Sequence, residues 1–261
     1  MTETATQIEI GEGDDARPIA VRHRRATEKD RPGIIWLGGY RSDMMGTKAE
    51  ALDQFAGKNG FACTRFDYSG HGESGGDFML GTISRWLEES LSVFDRFTEG
   101  PQILVGSSMG GWIALRLLQV LKARGDAGRV HSLLLLAPAP DFTSELHEPM
   151  LSEAQKKDLE TNGYYEEETP YGPDPNVFTR ALFEDGRKNR VLGGIIETGC
   201  PVHILQGMAD PDVPYTHALR LMEHLPADDV VLTLVKDGDH RLSRPQDIDM
   251  LINSVRRLAS L

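Results

Sequence analysis

The sequence has no long hydrophobic run and few basic residues. Its longest continuous apolar stretch is residues 133–137, whereas a membrane-spanning helix needs about 18 or more apolar residues. We therefore predict no stable membrane association. Lysine and arginine number 28 against 40 aspartates and glutamates, for a formal net charge of -12. Since nucleic acids and anionic membranes attract a basic face, the charge argues against either partner.

Cysteine is also scarce, and the chain begins without a targeting pattern. Cys63 and Cys200 are the only two cysteines, and each lies beside apolar, strand-like residues. We interpret both as reduced packing residues, with a disulfide as the alternative. Residues 1–6 lack the basic segment and the apolar core of a secretion signal, and they include an acidic residue unlike a transit peptide. These features predict a cytoplasmic protein.

Cofactor motifs are missing as well. The sequence contains neither G-x-x-x-x-G-K-[ST] nor a G-x-G-x-x-G that opens a helix, so a nucleotide site is not expected. Five residues could be taken for metal ligands: Asp210, Asp212, Asp237, Asp239 and His240. Acidic residues in loops at strand ends explain them without a metal. We predict that the protein uses no cofactor and no metal ion.

The most informative feature that is present is the motif G-x-S-x-G at residues 106–110. It follows the apolar run 102–105 and leads into an apolar helical pattern, which is the context of a nucleophile elbow. Gly106 and Gly110 flank Ser108 at positions where a Cβ atom would crowd a strained backbone. We predict that Ser108 is a nucleophile, with an ordinary glycine-rich turn as the alternative.

An acid and a histidine follow later in the chain, each after a predicted strand. Residues 202–206 lead to Asp210, and residues 230–235 lead through a short turn to His240. The order serine, aspartate, histidine is that of α/β-hydrolases and differs from the orders in chymotrypsin and subtilisin. The three residues together therefore predict a catalytic triad.

These motifs resemble the serine α/β-hydrolase family. A closer similarity, to the mitochondrial abhydrolases that act as palmitoyl-protein thioesterases and acyl-glucuronide esterases, is carried by residues 32–40, 46–49, 65–70, 100–112 and 239–241. The resemblance implies an α/β-hydrolase fold with Ser108 as nucleophile and His240 as general base and acid. The family motif places the orienting acid three residues after the glycine of the strand end, which selects Asp210 rather than Asp212.

The resemblance also implies an oxyanion hole made of two backbone amides. One is the amide of Met109, directly after the nucleophile. The other is the amide of Tyr40, because residues 37–40 match the histidine-glycine-x turn of the family, with Gly38 in place of the histidine that many members have. A merely flexible glycine turn is the alternative interpretation of this segment.

Residues 67–74 resemble the D-x-x-G-x-G-x-S turn of the same family. We interpret this segment as structural. His71 is then a turn residue near the rim of the site. His203, His217 and His224 are interpreted as packing or surface residues rather than ligands.

The order of predicted elements indicates an α/β fold with one mostly parallel sheet and helices on both faces. Apolar runs without alternation predict buried strands, and apolar residues at helical spacing predict the helices. We expect a single α/β-hydrolase domain over residues 1–261. Predicted strands span residues 19–25, 33–37, 61–67, 102–105, 133–137, 202–206 and 230–235, and predicted helices span 46–58, 83–97, 110–124, 217–225 and 246–258.

Residues 141–199 interrupt this alternation. The interval is too long for a simple connection, so we predict that it carries its own structure as a cap or lid. Its aromatic residues, including Tyr164, Tyr165 and Phe178, could cover an active site. The alternative is that they only anchor the segment to the rest of the fold.

The predicted function is a serine hydrolase that cleaves carboxylic esters or thioesters through an acyl-enzyme intermediate. The expected substrate is a small-molecule ester or thioester, or an acylated protein. A peptidase of the same fold is one alternative. A non-catalytic binding protein that retains the fold is another, because a fold alone does not determine function.

Overall fold

The computed structural model describes residues 4–28, 30–170, 172–226 and 229–260. Both ends of the domain predicted over residues 1–261 therefore lie just outside the described residues. The described strands are β1 (Thr6–Ile10), β2 (Arg17–Arg24), β3 (Gly33–Leu37), β4 (Cys63–Phe66), β5 (Gln102–Ser107), β6 (Val130–Leu136), β7 (Tyr164–Glu167), β8 (Asn176–Thr179), β9 (Val202–Gly207) and β10 (Val230–Val235).

Helices alternate with these strands along most of the chain. They are α1 (Thr47–Asn59), α2 (Ile83–Phe97), α3 (Met109–Ala123), α4 (Glu153–Thr161), α5 (Arg180–Lys188), α6 (Tyr215–His224) and α7 (Pro245–Leu258). Helix α2 begins at an N-cap threonine, because the Thr82 hydroxyl accepts a hydrogen bond from the Arg85 amide. Helix α1 ends at Gly60, whose φ of 76° is the left-handed conformation common after a helix.

Within the described residues, one eight-stranded sheet has the order β1-β2-β4-β3-β5-β6-β9-β10. Strands β1 and β2 pair antiparallel, and β2 also pairs antiparallel with β4. The pairs from β4 through β3, β5, β6 and β9 to β10 are parallel. The predicted mostly parallel sheet is confirmed.

Helices cover both faces of this sheet, and the side chains of each strand alternate between the two layers. Ile34 and Trp36 of β3 pack in the layer that contains α1 and α7. Ile35 and Leu37 pack in the opposite layer, with α2, α3 and α6. Because both faces are covered, the central strands are continuously apolar rather than alternating with polar residues. The predicted two-sided arrangement is confirmed.

The sequence predicted most element positions and missed the first strand. Strands 33–37 and 230–235 and helix 83–97 have the predicted bounds. Strand β6 begins at Val130, three residues before the predicted start. The prediction began too late because the partly exposed His131 interrupts the apolar pattern of the strand. Strand β1 lies at the sheet edge with Thr6, Gln7 and Glu9 exposed, so it lacks the apolar run expected of a buried strand.

Residues 141–199, which we call the insert, form their own elements between β6 and β9. Strands β7 and β8 pair as an antiparallel hairpin, with α4 before it and α5 after it. Asp141, the first residue of the insert, joins a segment close to its end: the buried Asp141 carboxylate accepts hydrogen bonds from the amides of Val191 and Leu192 at 2.8 to 3.1 Å. Asp141 therefore closes the neck of the insert.

Among the described helices, none has the combination of length and apolar composition needed to cross a bilayer.

Candidate active site

The turn between β5 and α3 holds Ser108 in an unusual backbone conformation. Ser108 has φ of 54° and ψ of -118°, a region that costs free energy for a residue with a side chain. The tight turn depends on its glycines, since a Cβ atom on Gly106 would lie 2.4 Å from the Gly110 carbonyl oxygen. A Cβ atom on Gly110 would lie 2.0 Å from the Leu37 carbonyl oxygen. The G-x-S-x-G spacing is therefore a packing requirement.

The structure brings Ser108, His240 and Asp210 into one hydrogen-bonded chain. Ser108 Oγ lies 3.1 Å from His240 Nε2, and His240 Nδ1 lies 2.9 Å from Asp210 Oδ2. The Asp210 side chain is fully buried, whereas the His240 side chain is 17% exposed. In this arrangement the imidazole can accept the serine proton on one nitrogen while the carboxylate orients the other.

Asp210 is held by hydrogen bonds from its own loop. Its Oδ1 accepts hydrogen bonds from the amides of Asp212 and Val213, each at 2.9 Å. Its Oδ2 accepts a further bond from Gln206 Nε2 at 3.2 Å. The neighbouring acid, Asp212, therefore contributes its backbone amide to Asp210, while the Asp210 carboxylate faces His240.

The loop that carries His240 packs directly on the end of β9. A Cβ atom on Gly207 would lie 2.3 Å from the Gly238 carbonyl oxygen, so glycine permits the two loops to touch. The same carbonyl accepts a hydrogen bond from the Ala209 amide at 2.9 Å. On the other side, Lys48 Nζ donates to the Arg241 carbonyl, and burial lowers the pKa of Lys48 to about 8.

The predicted oxyanion-hole residues lie on the two backbone segments next to the Ser108 side chain. Met109 is the first residue of α3, where amide groups point outward and the helix dipole is positive. Gly39, which precedes Tyr40, is so close that a Cβ atom on it would lie 3.4 Å from Ser108 Cβ.

The Tyr40 side chain extends from this turn into the insert. Its ring stacks on Phe178 at a centroid distance of 5.4 Å and an interplanar angle of 3°. Its hydroxyl donates to the Val177 carbonyl, and burial raises its pKa above the ordinary range. Phe178 in turn packs against His147 at 4.3 Å and against Tyr165 at 5.2 Å between ring centroids. The insert therefore contacts the turn that carries the Tyr40 amide.

One group of side chains within the described residues has the spacing of a metal site. Asp210, Asp212 and His240 offer ligand atoms that lie within 4.8 Å of one another. Both ring nitrogens of His240 already lie within hydrogen-bond distance of Asp210 and Ser108. The donor geometry therefore fits a triad, and the absence of a metal stays a prediction.

Two residues that support the site were missed in the sequence. Gln206 is buried at the end of β9 and donates to Asp210 Oδ2 and to the carbonyls of Gly207 and Val213. Its signal was a polar residue at the end of an apolar strand beside the acid loop. His71, interpreted as a turn residue, is buried and lies against the turn of Tyr40. No local pattern indicated that contact.

Comparison with known proteins supplies an independent result. Residues 33–249 match the model described as "Alpha/beta hydrolase family". A curated relative from Mus musculus, "Palmitoyl-protein thioesterase ABHD10, mitochondrial", is 36% identical over 225 residues, which cover 86% of this chain and 74% of the relative. The protein of the same name from Homo sapiens is 35% identical over 225 residues, covering 86% of this chain and 72% of the relative.

Solved structures agree with the sequence relatives. A putative hydrolase from Agrobacterium vitis S4 superposes with a TM-score of 0.95 at 63% identity and covers 98% of both chains. Alpha/beta hydrolase domain-containing protein 10 from mouse superposes with a TM-score of 0.83 at 32% identity, covering 98% of this chain and 99% of that one. The resemblance to the mitochondrial abhydrolases is confirmed.

The same relatives contradict the predicted localisation. The curated relatives from mouse, orangutan and human are all named as mitochondrial proteins, so the prediction of a cytoplasmic protein is wrong. Localisation is specified by targeting segments that the folded domain does not need. The composition of the domain and the residues at its start were therefore a poor basis for that prediction.

Proposed function

Because the chain belongs to the alpha/beta hydrolase family, it is a serine hydrolase of carboxylic esters or thioesters, and we propose that Ser108, His240 and Asp210 are its catalytic triad. The observation that carries this assignment is the continuous chain of contacts from Ser108 Oγ through His240 to the buried Asp210 carboxylate. It supplies the three parts that acyl transfer by a serine requires.

Acylation begins when Ser108 Oγ attacks the substrate carbonyl carbon and its proton passes to His240 Nε2. A bond forms between Oγ and the carbonyl carbon, and the carbonyl oxygen becomes an oxyanion. His240 then gives the proton to the leaving alcohol or thiol as the bond to the leaving group breaks. Asp210 keeps the imidazole in the required tautomer and stabilises the imidazolium.

Deacylation repeats the sequence with water as the nucleophile. His240 removes a proton from water, the new C–O bond forms, and the proton returns to Ser108 Oγ as the acyl-enzyme is cleaved. The amides of Tyr40 and Met109 bind the oxyanion in both halves of the reaction. Each such donor is worth about 10²- to 10³-fold in kcat when the backbone already holds it in place.

We propose that the insert, residues 141–199, acts as a cap over this site within one domain. Two observations support the proposal. Its ends close at Asp141, so it forms a unit beside the sheet. Its strand β8 contacts the oxyanion turn through the Phe178 and Val177 contacts with Tyr40. A cap in this place can contact the acyl group while the body performs the chemistry.

The proposed substrates are acyl thioesters and esters with an apolar acyl group, including acylated proteins. The mouse relative is named a palmitoyl-protein thioesterase, which favours a long acyl chain. Three aromatic side chains of the insert, Phe142, Tyr165 and Phe178, form a buried apolar cluster beside the turn of Tyr40, against which an acyl chain could pack if the cap moved to admit it. Each methylene of the acyl chain that is buried against apolar side chains contributes about 0.8 kcal/mol to the binding free energy.

Fluorophosphonate labelling followed by peptide mass mapping tests the nucleophile. We expect one adduct on Ser108 in the wild type and in Ser107→Ala, and no adduct in Ser108→Ala. An adduct that persists in Ser108→Ala contradicts the assignment. The substrate proposal is tested with p-nitrophenyl esters and acyl-thiol substrates of graded chain length, for which kcat/KM should rise with chain length. A maximum at acetyl contradicts an apolar acyl site.

A further inference from the structure

The turn that presents the Tyr40 amide has a conformation that its sequence does not favour. The Ser42 amide donates to the Gly39 carbonyl at 3.2 Å, so residues 39–42 form a β-turn with Tyr40 and Arg41 at its centre. Arg41 has φ of 55°, whereas Tyr40 is not among the residues with positive φ. This is the pattern of a type II turn, whose third position normally requires glycine or asparagine. Arg41 is neither.

His71 supplies the contact that favours this conformation. Its Nε2 lies 3.1 Å from the Arg41 amide, which donates to it, and its Nδ1 lies 3.0 Å from the Ser69 carbonyl, to which it donates. The imidazole is 4% exposed. The rings of Phe78 and Trp86 pack against it at centroid distances of 5.1 and 5.4 Å. The ring therefore has one orientation available, with both nitrogens satisfied.

The Arg41 amide belongs to the central peptide of the turn, and the orientation of this peptide is what distinguishes type II from type I. In the type I conformation this peptide is reversed, so the Tyr40 carbonyl points where the amide points in type II. An acceptor nitrogen placed there repels a carbonyl oxygen and attracts an amide. His71 therefore selects the observed conformation although Arg41 is strained.

We infer that His71 is a positioning residue for the oxyanion hole: its hydrogen bond to the Arg41 amide anchors the residue that follows Tyr40, and so keeps the Gly39–Ser42 turn with its Tyr40 amide in place beside Ser108. The inference rests on the proposed role of that amide. Gly39 permits the turn to approach Ser108 closely, and His71 holds the turn at the Arg41 amide. The hydrogen bond from the Arg41 amide to His71 involves no member of the triad, so this part of the hole is held independently of the nucleophile.

The surroundings of His71 preserve its acceptor nitrogen. Burial, with a smaller contribution from the nearby Arg41 guanidinium, lowers the pKa of His71 to about 4, against the opposing effect of the Ser69 carbonyl. The other groups that face the ring are the side chains of Tyr40, Tyr68, Phe78 and Trp86. At neutral pH the imidazole is therefore uncharged and can accept the Arg41 amide.

His71→Phe tests the inference because phenylalanine preserves the ring packing and removes both hydrogen bonds. We expect kcat for a p-nitrophenyl ester to fall about 10- to 100-fold with KM nearly unchanged, since an oxyanion donor acts mainly in the transition state. Affinity for a trifluoromethyl ketone, which forms an oxyanion on the serine, should fall by a similar factor. His71→Gln, which offers an acceptor and a donor, should recover most of the loss.

Tyr68→Leu is the matched control, because the Tyr68 ring packs against His71 at a centroid distance of 5.8 Å and its loss leaves the hydrogen bond to Arg41 in place. An equal loss of kcat in Tyr68→Leu, or wild-type kcat in His71→Phe, overturns the inference. If His71→Phe does not fold, His71→Gln against His71→Met makes the same comparison. Ser108→Ala is measured in parallel. Activity in Ser108→Ala refutes the proposed function, whereas an inactive Ser108→Ala beside a fully active His71→Phe refutes only the role of His71.

Discussion

The body of the protein and its insert solve different problems with different kinds of structure. In the body, Ser108, Asp210 and His240 each follow a strand of one sheet, so the sheet sets their separations. In the insert, short helices surround a two-stranded hairpin. The residues from Thr143 to His147 form a π-helical turn, a conformation that is rare and often found at functional sites.

This difference teaches where substrate choice can vary without loss of chemistry. The triad depends on glycines that allow backbones to touch, such as Gly106, Gly110 and Gly207, and almost any substitution there displaces a reacting group. The insert joins the body through its neck and through contacts such as the one between Trp112 Nε1 and the Asn189 carbonyl, at 2.9 Å. Loops held in this way on a rigid scaffold tolerate change and carry specificity.

The largest effect on activity is expected when triad residues of the body are replaced. Ser108→Ala, His240→Ala and the double variant should each lose about 10⁴-fold or more in kcat, by similar amounts, because a triad acts as one unit. The loss should be the same for acetyl and long-chain esters. Steady-state kinetics on purified protein measure it, with Ser107→Ala as a nearly active control. If the loss of kcat in the double variant equalled the product of the two single losses, Ser108 and His240 would act independently, which contradicts a shared mechanism.

The two acids of the β9 loop offer the next largest contrast. Asp210→Asn should lower kcat by roughly 10³- to 10⁴-fold, because an amide opposite His240 Nδ1 favours the wrong tautomer. Asp212→Asn should have a mild effect, since Asp212 holds Asp210 through its backbone amide. Circular dichroism must show both variants folded. The reverse order of kcat values would transfer the orienting role to Asp212.

A smaller effect is expected in the insert, and it should depend on the substrate. Tyr165 is buried and Tyr164 is 36% exposed, on opposite faces of β7. Tyr165→Ala should reduce kcat/KM for long acyl substrates by about 1 to 3 kcal/mol more than for acetyl esters, the range for a residue that lines an apolar site. Tyr164→Ala is the matched control.

Phe178→Ala should behave differently from Tyr165→Ala, because Phe178 stacks on Tyr40 of the oxyanion turn. We expect Phe178→Ala to reduce kcat/KM for acetyl substrates as well as for long acyl substrates. Equal losses for short and long substrates in Tyr165→Ala would mean that the aromatic residues of the insert only anchor it. The division of labour between body and insert would then be wrong.

The smallest effect concerns acid stability, for which we compare one histidine of strongly lowered pKa from each region. Burial lowers the pKa of His71 in the body and of His147 in the insert to about 4, from an ordinary 6.5. Between these values the unfolded chain binds more protons than the folded one, so the free energy of unfolding should fall as pH falls from about 6.5 to 4. His147 faces Asp212, the Tyr165 hydroxyl and the rings of Phe142 and Phe178.

Urea unfolding of His71→Phe and His147→Phe across this pH range measures each contribution. Each variant should lose stability less steeply than the wild type as pH falls. Asp67, whose pKa burial raises to about 6, acts in the opposite direction in all three proteins, so the difference between proteins removes its effect. If the free energy of unfolding had the same pH dependence in a variant and in the wild type, the replaced histidine would bind a proton equally well in the folded and unfolded states, which contradicts a lowered pKa.

Much of the body could be predicted from sequence because its signals are local. Buried parallel strands are apolar runs, and the elbow must have glycine on both sides of Ser108, so a few consecutive residues identify each part. The edge strand β1 was missed because its exposed face makes it polar. The role of His71 was missed because its partner, the Arg41 amide, is 30 residues away and depends on the conformation of a turn.

The insert was predicted only as an interruption. Its hairpin strand β7 has the sequence Tyr-Tyr-Glu-Glu, with three of four residues exposed, so no periodic apolar pattern marks it. Its contacts join distant parts of the chain, as between Ser84 and Asp185 at 2.7 and 2.8 Å. Such contacts follow from packing in three dimensions, which the spacing of residues along a chain does not encode.

The closure of the insert at Asp141 has a consequence for protein engineering. Because the Asp141 carboxylate binds the amides of Val191 and Leu192, which lie 50 and 51 positions further along the chain, the segment between them begins and ends at nearly the same point. A foreign segment of any length could be grafted between those points if it kept the aspartate and the two amides that it binds. The scaffold is thus suited to exchange of whole cassettes, and libraries of caps could be recombined on one unchanged catalytic core.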